Sequence, residues 1–551
     1  MDDADPSAPP AAETPEQAAA ALWRTRRRNR LRDLDRIDAL YRVYVTAVVG
    51  IVAVLLISSA VGDTDVSAAT LERVTDEGPA WVGLAAALAA ALGLRSGSHG
   101  GPLALEPAEV RHVLLAPVDR RTVLQRHALR LLRFGVFVAA VVGAIAGQLA
   151  VRRLSGAPLA WVATGAAAAV LIAALGLGLA LLAGGRRLPR PVATVVGGAL
   201  LGWALADALA EVWSPFRLFG GLALWPLEVR PLDLVAVLLA GATVAAGLAA
   251  LGGVSMEAAE RRTGLVAQLR FAVTVQDLRT VVLLRRQLAM DLPRARPWIR
   301  LRRSARWFPV WRRDLRGLLR FPLSRLARLG LLGIVAGLCV RGAWDGTTPL
   351  VVPAGLALYL AALDAVEPLA QEADQLDRAD AYPTERGVLF LRHLAAPVLV
   401  MVFVALVGWA TVLVTAPETL TLEAGAVAVL PAAVLATAGA TVSVVLGVPL
   451  PSSAASLDDQ VLMPMPEMAG MKVALRSGFP PALAILGTAP VLAAREAVAD
   501  GASAVAEAAN VAALLVLPAA FVAAWVRYRE PARAWWAQSL QQSQATRKVA
   551  T

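Results

Sequence analysis

Cysteine and lysine are almost missing from this chain of 551 residues, and each scarcity excludes a class of site. The one cysteine, Cys339, rules out an internal disulfide and a multi-cysteine metal centre. The only two lysines, Lys472 and Lys548, lack the preceding glycines of a GxxxxGK[ST] phosphate loop. We therefore predict that the chain is not an enzyme, with no catalytic residue, cofactor or metal of its own.

The N-terminal residues also lack the pattern of a secretory signal. Residues 1–21 are rich in Ala, Pro and acidic side chains and have no basic region before an apolar run. Such a composition predicts a disordered tail rather than a cleavable leader.

What the chain has in abundance is apolar sequence. Hydrophobic residues make up 57% of it, and the mean hydropathy is +0.60, more than a soluble core requires. This composition predicts an all-α polytopic membrane protein, because crossing a bilayer takes about 20 apolar residues. We predict about twelve transmembrane helices, at 43–62, 79–94, 134–151, 159–183, 192–212, 232–254, 329–342, 348–365, 394–415, 424–447, 480–495 and 507–526.

The arginines predict the orientation of these helices. With both termini cytoplasmic, inside segments hold 46 of the 53 basic residues and outside segments hold 7. The net charge of +11 is therefore explained by the membrane surface, and we predict no nucleic-acid partner. The predicted location is the bacterial cytoplasmic (inner) membrane, and the excess of arginine over lysine points to a high-GC bacterium.

An internal repeat is the most informative feature. Residues 102–127 (PLALEPAEVRHVLLAPVDRRTVLQRH) and 368–393 (PLAQEADQLDRADAYPTERGVLFLRH) align without a gap at an offset of 266. Histidine occurs only four times in the chain, yet His127 and His393 align. Each copy follows the second predicted helix of its half, so we predict two parallel six-helix repeats.

A second correspondence extends the repeat. Basic stretches with Trp, Leu and Phe at helical spacing, 22–36 and 307–325, precede the first and seventh predicted helices. They are typical of helices lying in the membrane interface, although a solvated basic linker would also fix the topology. The resulting divisions are a disordered tail at 1–21, a first six-span half at 22–254, a basic cytoplasmic linker at 255–306, a second half at 307–527 and a cytoplasmic tail at 528–551.

Two six-span halves, each with a basic amphipathic helix before its first span and a Pro-acid-Arg element after its second, resemble ABC-2-type exporter permeases. The resemblance implies a membrane-spanning subunit energised by a separate ABC-type ATP-binding subunit, present in two copies, that supplies ATP and magnesium. The resemblance also implies that elements 117–127 and 383–393 are coupling elements that dock on this ATP-binding subunit. The implied docking residues are Pro117, Asp119, Arg120, Arg126, His127, Pro383, Glu385, Arg386, Arg392 and His393.

The physical properties of these elements fit a stiff cytoplasmic helix. Pro117 and Pro383 suit a first helical turn, and Asp119 and Glu385 then face the positive end of the helix dipole. A well-capped surface helix without a partner is the plain alternative.

Charged residues within the predicted spans are few. Asp207 and Glu211 lie four positions apart, which places them on one face of the fifth helix and makes them candidates for the transport pathway. The following segment, 212–231, is unusually apolar for an outside loop and is compatible with a re-entrant hairpin or with an interfacial aromatic belt.

Two other functions remain open at this point. A twelve-span secondary transporter also has parallel six-span halves, although the usual Gly- and Asp-rich loop between its second and third spans is not found here. A membrane-embedded glycosyltransferase-like enzyme would need a metal on Asp63 and Asp65, but a lone DxD in a short loop is weak support. A purely structural role as a membrane scaffold is a further alternative.

Overall fold

The computed structural model describes residues 66–103, 105, 119–255, 294–300, 309–415, 422–446 and 469–550, with a few isolated positions besides. The described residues are helical and include no strand. The chain divides into two compact units, Met1–Phe271 and Ala272–Thr551, and the division falls within the predicted linker 255–306.

Unit 1 contains six described α-helices. They are α1 (Ala68–Ser98), α2 (Arg120–Ala150), α3 (Pro158–Gly185), α4 (Arg190–Ala210), α5 (Arg217–Ala223) and α6 (Val235–Ala250). Single 3-10 turns, Pro231–Leu234 and Leu251–Gly253, flank α6.

Unit 2 contains twelve described α-helices. They are α7 (Pro309–Leu318), α8 (Leu323–Trp344), α9 (Val351–Ala365), α10 (Glu367–Ala373), α11 (Leu376–Asp380), α12 (Arg386–Arg392), α13 (Ala395–Thr415), α14 (Leu422–Leu446), α15 (Ala469–Leu486), α16 (Ala489–Ala499), α17 (Ala504–Leu514) and α18 (Val516–Ala550).

The long helices identify a multi-pass membrane protein. In the described part of the chain, ten helices are long and apolar enough to cross a membrane, and a bent pair, Gly478–Leu486 with Ala489–Ala499, would make eleven. Helix α3 shows why, because its sequence PLAWVATGAAAAVLIAALGLGLALLAGG has no polar face. Eleven of the twelve predicted segments overlap these helices, and the first, 43–62, lies almost wholly outside the described residues.

The helices of unit 1 pack around α3, which contacts α1, α2 and α6. Small residues let the backbones approach closely, since a methyl group added at Gly93 would lie only 2.1 Å from the carbonyl oxygen of Gly176. Such contacts drive helix association in lipid, where burial of apolar side chains gives little net gain. Helix α4 also packs against α1.

The helices of unit 2 pack around α14, which contacts α9, α13, α15, α17 and α18. The core between α8, α9, α13 and α14 is built mainly from alanines, with Met401 and Leu358 filling the larger spaces. The bend between α15 and α16 is 40° and lies at Gly487 and Thr488. Helix α7 precedes α8 and joins this core through Leu318.

Candidate functional site

The second copy of the internal repeat folds as a chain of three short helices. Helices α10, α11 and α12 connect α9 to α13 and occupy 367–392. Helix α10 contacts α7 and α14, and α12 contacts α18. This segment, 367–393, is called the connecting element below. Because α10 and α12 both contact other helices of unit 2, the connecting element is folded onto this unit rather than extended away from it.

A buried polar cluster ties the connecting element to α7. Nδ1 of His393 lies 2.6 Å from Oδ2 of Asp314, and Nη2 of Arg313 donates to Oε2 of Glu372 at 2.7 Å. The histidine is 0% exposed, Glu372 1% and Asp314 2%. Nε2 of His393 lies 4.0 Å from Oε2 of Glu372, so the two pairs form one group. We call these four residues the latch.

The latch is held by both geometry and charge. Burial lowers the pKa of Arg313, but the hydrogen bond and the negative charge of Glu372 outweigh burial and raise this pKa above its ordinary value. Because buried charges persist only when paired, removal of one partner leaves the other with an uncompensated desolvation cost. The latch thus fixes α7 to the first and the last parts of the connecting element.

Helix α12 is clamped onto α18 by further ion pairs. Arg386 binds Asp380 and Glu530, and Glu385 binds Arg527. A methyl group added at Gly387 would lie 2.3 Å from the carbonyl oxygen of Arg527, so the two backbones are in close contact. The hydrogen bond from Arg386 holds the pKa of the exposed Asp380 carboxyl below its usual value.

The docking residues implied by the resemblance are thus placed in different environments. Pro383, Glu385 and Arg392 are exposed, and Arg386 is half-buried. His393 faces Asp314 inside the unit, so its side chain is not on a surface that a partner touches. In this copy the histidine is a member of the latch.

Pro383 does not lie in the first helical turn as expected. Helix α12 begins at Arg386 with Glu385 at the N-cap position, so Pro383 precedes the cap by two residues. In the first copy, Asp119 is the N-cap of α2, and its carboxylate accepts from the N–H groups of Arg121 (3.2 Å) and Thr122 (3.3 Å). These bonds lower the pKa of Asp119. An aspartate makes a good cap where a proline, lacking an acceptor side chain, cannot.

The remaining residues of the first copy are partly described. Arg120 and Arg126 are exposed on α2, and Nδ1 of His127 lies 3.2 Å from the carbonyl oxygen of Val123. Pro117 lies outside the described residues.

Comparisons with known proteins give no relative. No protein-family model, curated protein or solved structure matches the chain.

The pathway candidate Asp207 is a structural anchor in this arrangement. Its side chain is 1% exposed, and it accepts from the N–H (3.1 Å) and the hydroxyl (2.9 Å) of Ser214 and from Nε of Arg217 (3.0 Å). These bonds hold the segment that leads into α5, whose residues 218–222 are buried. A methyl group at Gly220 would lie 2.0 Å from the carbonyl oxygen of Pro79, so α5 lies directly against α1.

Glu211 does not share a helical face with Asp207. Helix α4 ends at Ala210, and Glu211 adopts a left-handed conformation with φ of 55° at the C-cap. Its side chain is exposed. The expected four-residue helical spacing fails because the chain must turn here to bring Ser214 back to Asp207.

Sequence reasoning missed Asp314, the residue on which the latch depends. A signal was present, since Asp314 is a lone acid within the arginine-rich stretch 307–325. The other missed member, Glu372, aligns with Glu106 in the repeat. No sequence pattern pairs these two positions, because 58 residues separate them and the fold alone brings them together.

Proposed function

We propose that this chain is the membrane-spanning permease subunit of an ABC transporter of the ABC-2 exporter type. It lies in the bacterial cytoplasmic membrane with twelve spans in two parallel six-span repeats and with both termini cytoplasmic. A separate ATP-binding subunit, in two copies, docks on elements 117–127 and 383–393 and supplies the ATP and magnesium chemistry.

The packing inside the two units supports the repeat. In unit 1, α3 contacts α1, α2 and α6, and α1 contacts α4. In unit 2, the helices at the same places in the predicted order repeat this pattern, with α14 contacting α9, α13 and α17, and α9 contacting α15. Matching neighbours are expected if each half descends from one six-helix ancestor.

The latch is the observation that carries the proposal. It joins α7 to both ends of the connecting element, which leads into α13, through the buried hydrogen bond between His393 and Asp314 and the ion pair between Arg313 and Glu372. A partner that pushes on the exposed surface of this element therefore moves α7 and α13 with it, because the buried pairs resist separation. Packed cores shift between discrete arrangements rather than deforming smoothly, which suits a transmission element.

Exposed charges on the two coupling elements, one in each unit, supply the docking surface. Arg392 has no ion-pair partner among the described residues and is exposed, as is Arg120 at the start of α2. Exposed arginines of this kind steer and fix an acidic partner surface. The buried latch then transmits the movement, and the exposed arginines provide the contact.

The test is co-purification of the tagged full-length protein from its native host in mild detergent. We expect an ABC-type ATPase at a defined stoichiometry, lost in the Arg120→Glu/Arg392→Glu variant. The matched control is Arg186→Glu, which reverses an exposed charge in the turn between α3 and α4 and should retain the ATPase. A stable protein that never co-purifies with an ATPase would reject the proposal.

A secondary transporter is the second candidate, favoured by the bend between α15 and α16. Broken helices line the binding sites of such transporters, and an apolar cavity of about 60 Å³ lies at the break, lined by Trp409, Gly487 and Thr488 among others. Transport by proteoliposomes that contain only this chain, driven by an ion gradient, would support this candidate over the ABC permease.

A further inference from the structure

A polar cavity of about 330 Å³ lies beside the latch in unit 2. Its walls come from α7, the turn after α7, the first turn of α8 and α10 and α11. Four arginines line it: Arg313, Arg320, Arg325 and Arg378. The volume lies in the range of small-ligand sites.

The charges around this cavity do not cancel. Its three acids are all engaged, as Glu372 pairs with Arg313, Glu367 with Arg325, and Asp314 with His393. Arg320 and Arg378 are exposed, and neither has an ion-pair partner within the described ranges. The cavity therefore has an excess of positive charge at these two guanidinium groups.

The wall that carries Arg320 is fixed before any ligand arrives. The carbonyl oxygen of Arg320 accepts from the N–H of Arg294 at 2.9 Å, and that of Phe321 accepts from Nε1 of Trp298 at 2.9 Å. The guanidinium of Arg325 stacks on the ring of Phe321, 4.4 Å from its centroid. A wall whose backbone is already fixed costs less ordering entropy on binding an anion.

Two more features favour an anion. Helix α8 begins at this cavity after Pro322, its first turn has no side-chain cap, and its 22 residues direct the positive end of the helix dipole there. Nε of Arg325, a residue that is 9% exposed, is buried without a hydrogen-bond partner in the described part of the chain. Guanidinium forks match phosphate oxygens in geometry as well as charge.

The depth of the site identifies the source of the phosphate. Helix α8 is one of the candidate membrane spans, and the cavity lies at the end where it begins. This end of a span is where lipid headgroups lie. We propose that the cavity binds the phosphate headgroup of an anionic phospholipid through Arg320 and Arg378. This site goes beyond the proposed function and requires no ATP-binding subunit.

The experiment measures lipid retention by the full chain. The protein in nanodiscs or mild detergent is titrated with phosphatidylglycerol or phosphatidylcholine and bound lipid is counted by native mass spectrometry. We expect preference for phosphatidylglycerol, and binding roughly thirtyfold weaker in Arg320→Gln/Arg378→Gln, because each of the two arginines near an anionic headgroup contributes about fivefold in affinity.

The control variant removes the same charge elsewhere. Arg316→Gln/Arg130→Gln replaces an exposed arginine of α7 that does not line the cavity and another on α2, and should retain wild-type binding. Equal retention of both lipids by the wild-type protein, or equal phosphatidylglycerol binding by the two double variants, would overturn the proposal.

A second arm separates a lipid from a soluble ligand. Inorganic phosphate is added to the protein with bound phosphatidylglycerol, and the lipid should stay bound. Displacement of the lipid by phosphate alone would assign the site to a free anion and overturn the lipid assignment. Neither arm depends on ATPase activity, so a failed ABC proposal and a failed lipid site give different results.

Discussion

Nδ1 of His393 and Oδ2 of Asp314 lie 2.6 Å apart although 79 residues separate them in the chain. Both side chains are buried, and Asp314 also lies 3.5 Å from Nε of Arg313. The pair joins α7 to the residue that leads into α13. The repeat that contains His393 is therefore tied to the core of unit 2 rather than only to its surface.

Breaking this pair should destabilise unit 2 strongly. We expect His393→Ala to lower the free energy of unfolding by about 3 kcal/mol, because the buried Asp314 loses its hydrogen bond from His393 and keeps only the longer contact with Arg313. The combined Asp314→Ala/His393→Ala variant should cost less than the sum, with a coupling of about 1–3 kcal/mol. Thermal unfolding in detergent measures both, and Asp377→Asn, at an exposed site on α11, is the control. Strict additivity would contradict the pair.

Loss of Asp207 should release the segment before α5. In Asp207→Ala, three donor groups of Ser214 and Arg217 lose their acceptor. We therefore expect the free energy of unfolding to fall by about 3–5 kcal/mol. Limited proteolysis between Val212 and Trp225 should become faster together with a lower unfolding temperature. For Glu211→Gln, at an exposed helix C-cap, the free energy of unfolding should stay within about 0.5 kcal/mol of the wild-type value. Equal effects of the two substitutions would show that Asp207 is no anchor.

The clamp of α12 should depend on pH. The pKa of Asp380 is lowered in the folded protein by Arg386. The pair therefore stabilises the fold above the unfolded pKa of about 4, and this contribution is lost as the pH falls through the folded pKa. We expect the unfolding temperatures of wild type and Arg386→Gln to differ at pH 7 and to converge toward pH 3. A constant difference across this range would argue against the carboxylate pairing.

Close helix packing in unit 1 should tolerate no added methyl group at Gly93. The new Cβ would lie 2.1 Å from the carbonyl oxygen of Gly176, so we expect Gly93→Ala to destabilise by about 1–3 kcal/mol. Gly198→Ala is the matched control, because nothing lies within 4 Å of its added Cβ and it is also helical. The control should be neutral or stabilising by up to about 1 kcal/mol. The comparison is made by thermal unfolding of both variants.

Sequence reasoning located the helices and the repeated segment, because apolar length and recurring motifs are local properties of the chain. Eleven predicted spans overlap the helices for this reason. In lipid, a single long apolar segment such as α3 can satisfy its backbone N–H and C=O groups within itself only as a helix. The same reasoning misplaced Pro383 in a helical turn and put Asp207 and Glu211 on one face, because helix ends depend on neighbours distant in sequence.

The sequence by itself therefore determined a polytopic helical membrane protein, since hydrophobicity can be read residue by residue, and it predicts a duplication from two aligned segments. Only the tertiary structure decided what the candidate site residues do. His393 is paired with Asp314, Glu372 with Arg313, and Asp207 with Ser214 and Arg217. The physical reason is that buried charges must find partners across the fold, and which partners meet is set by how the helices pack.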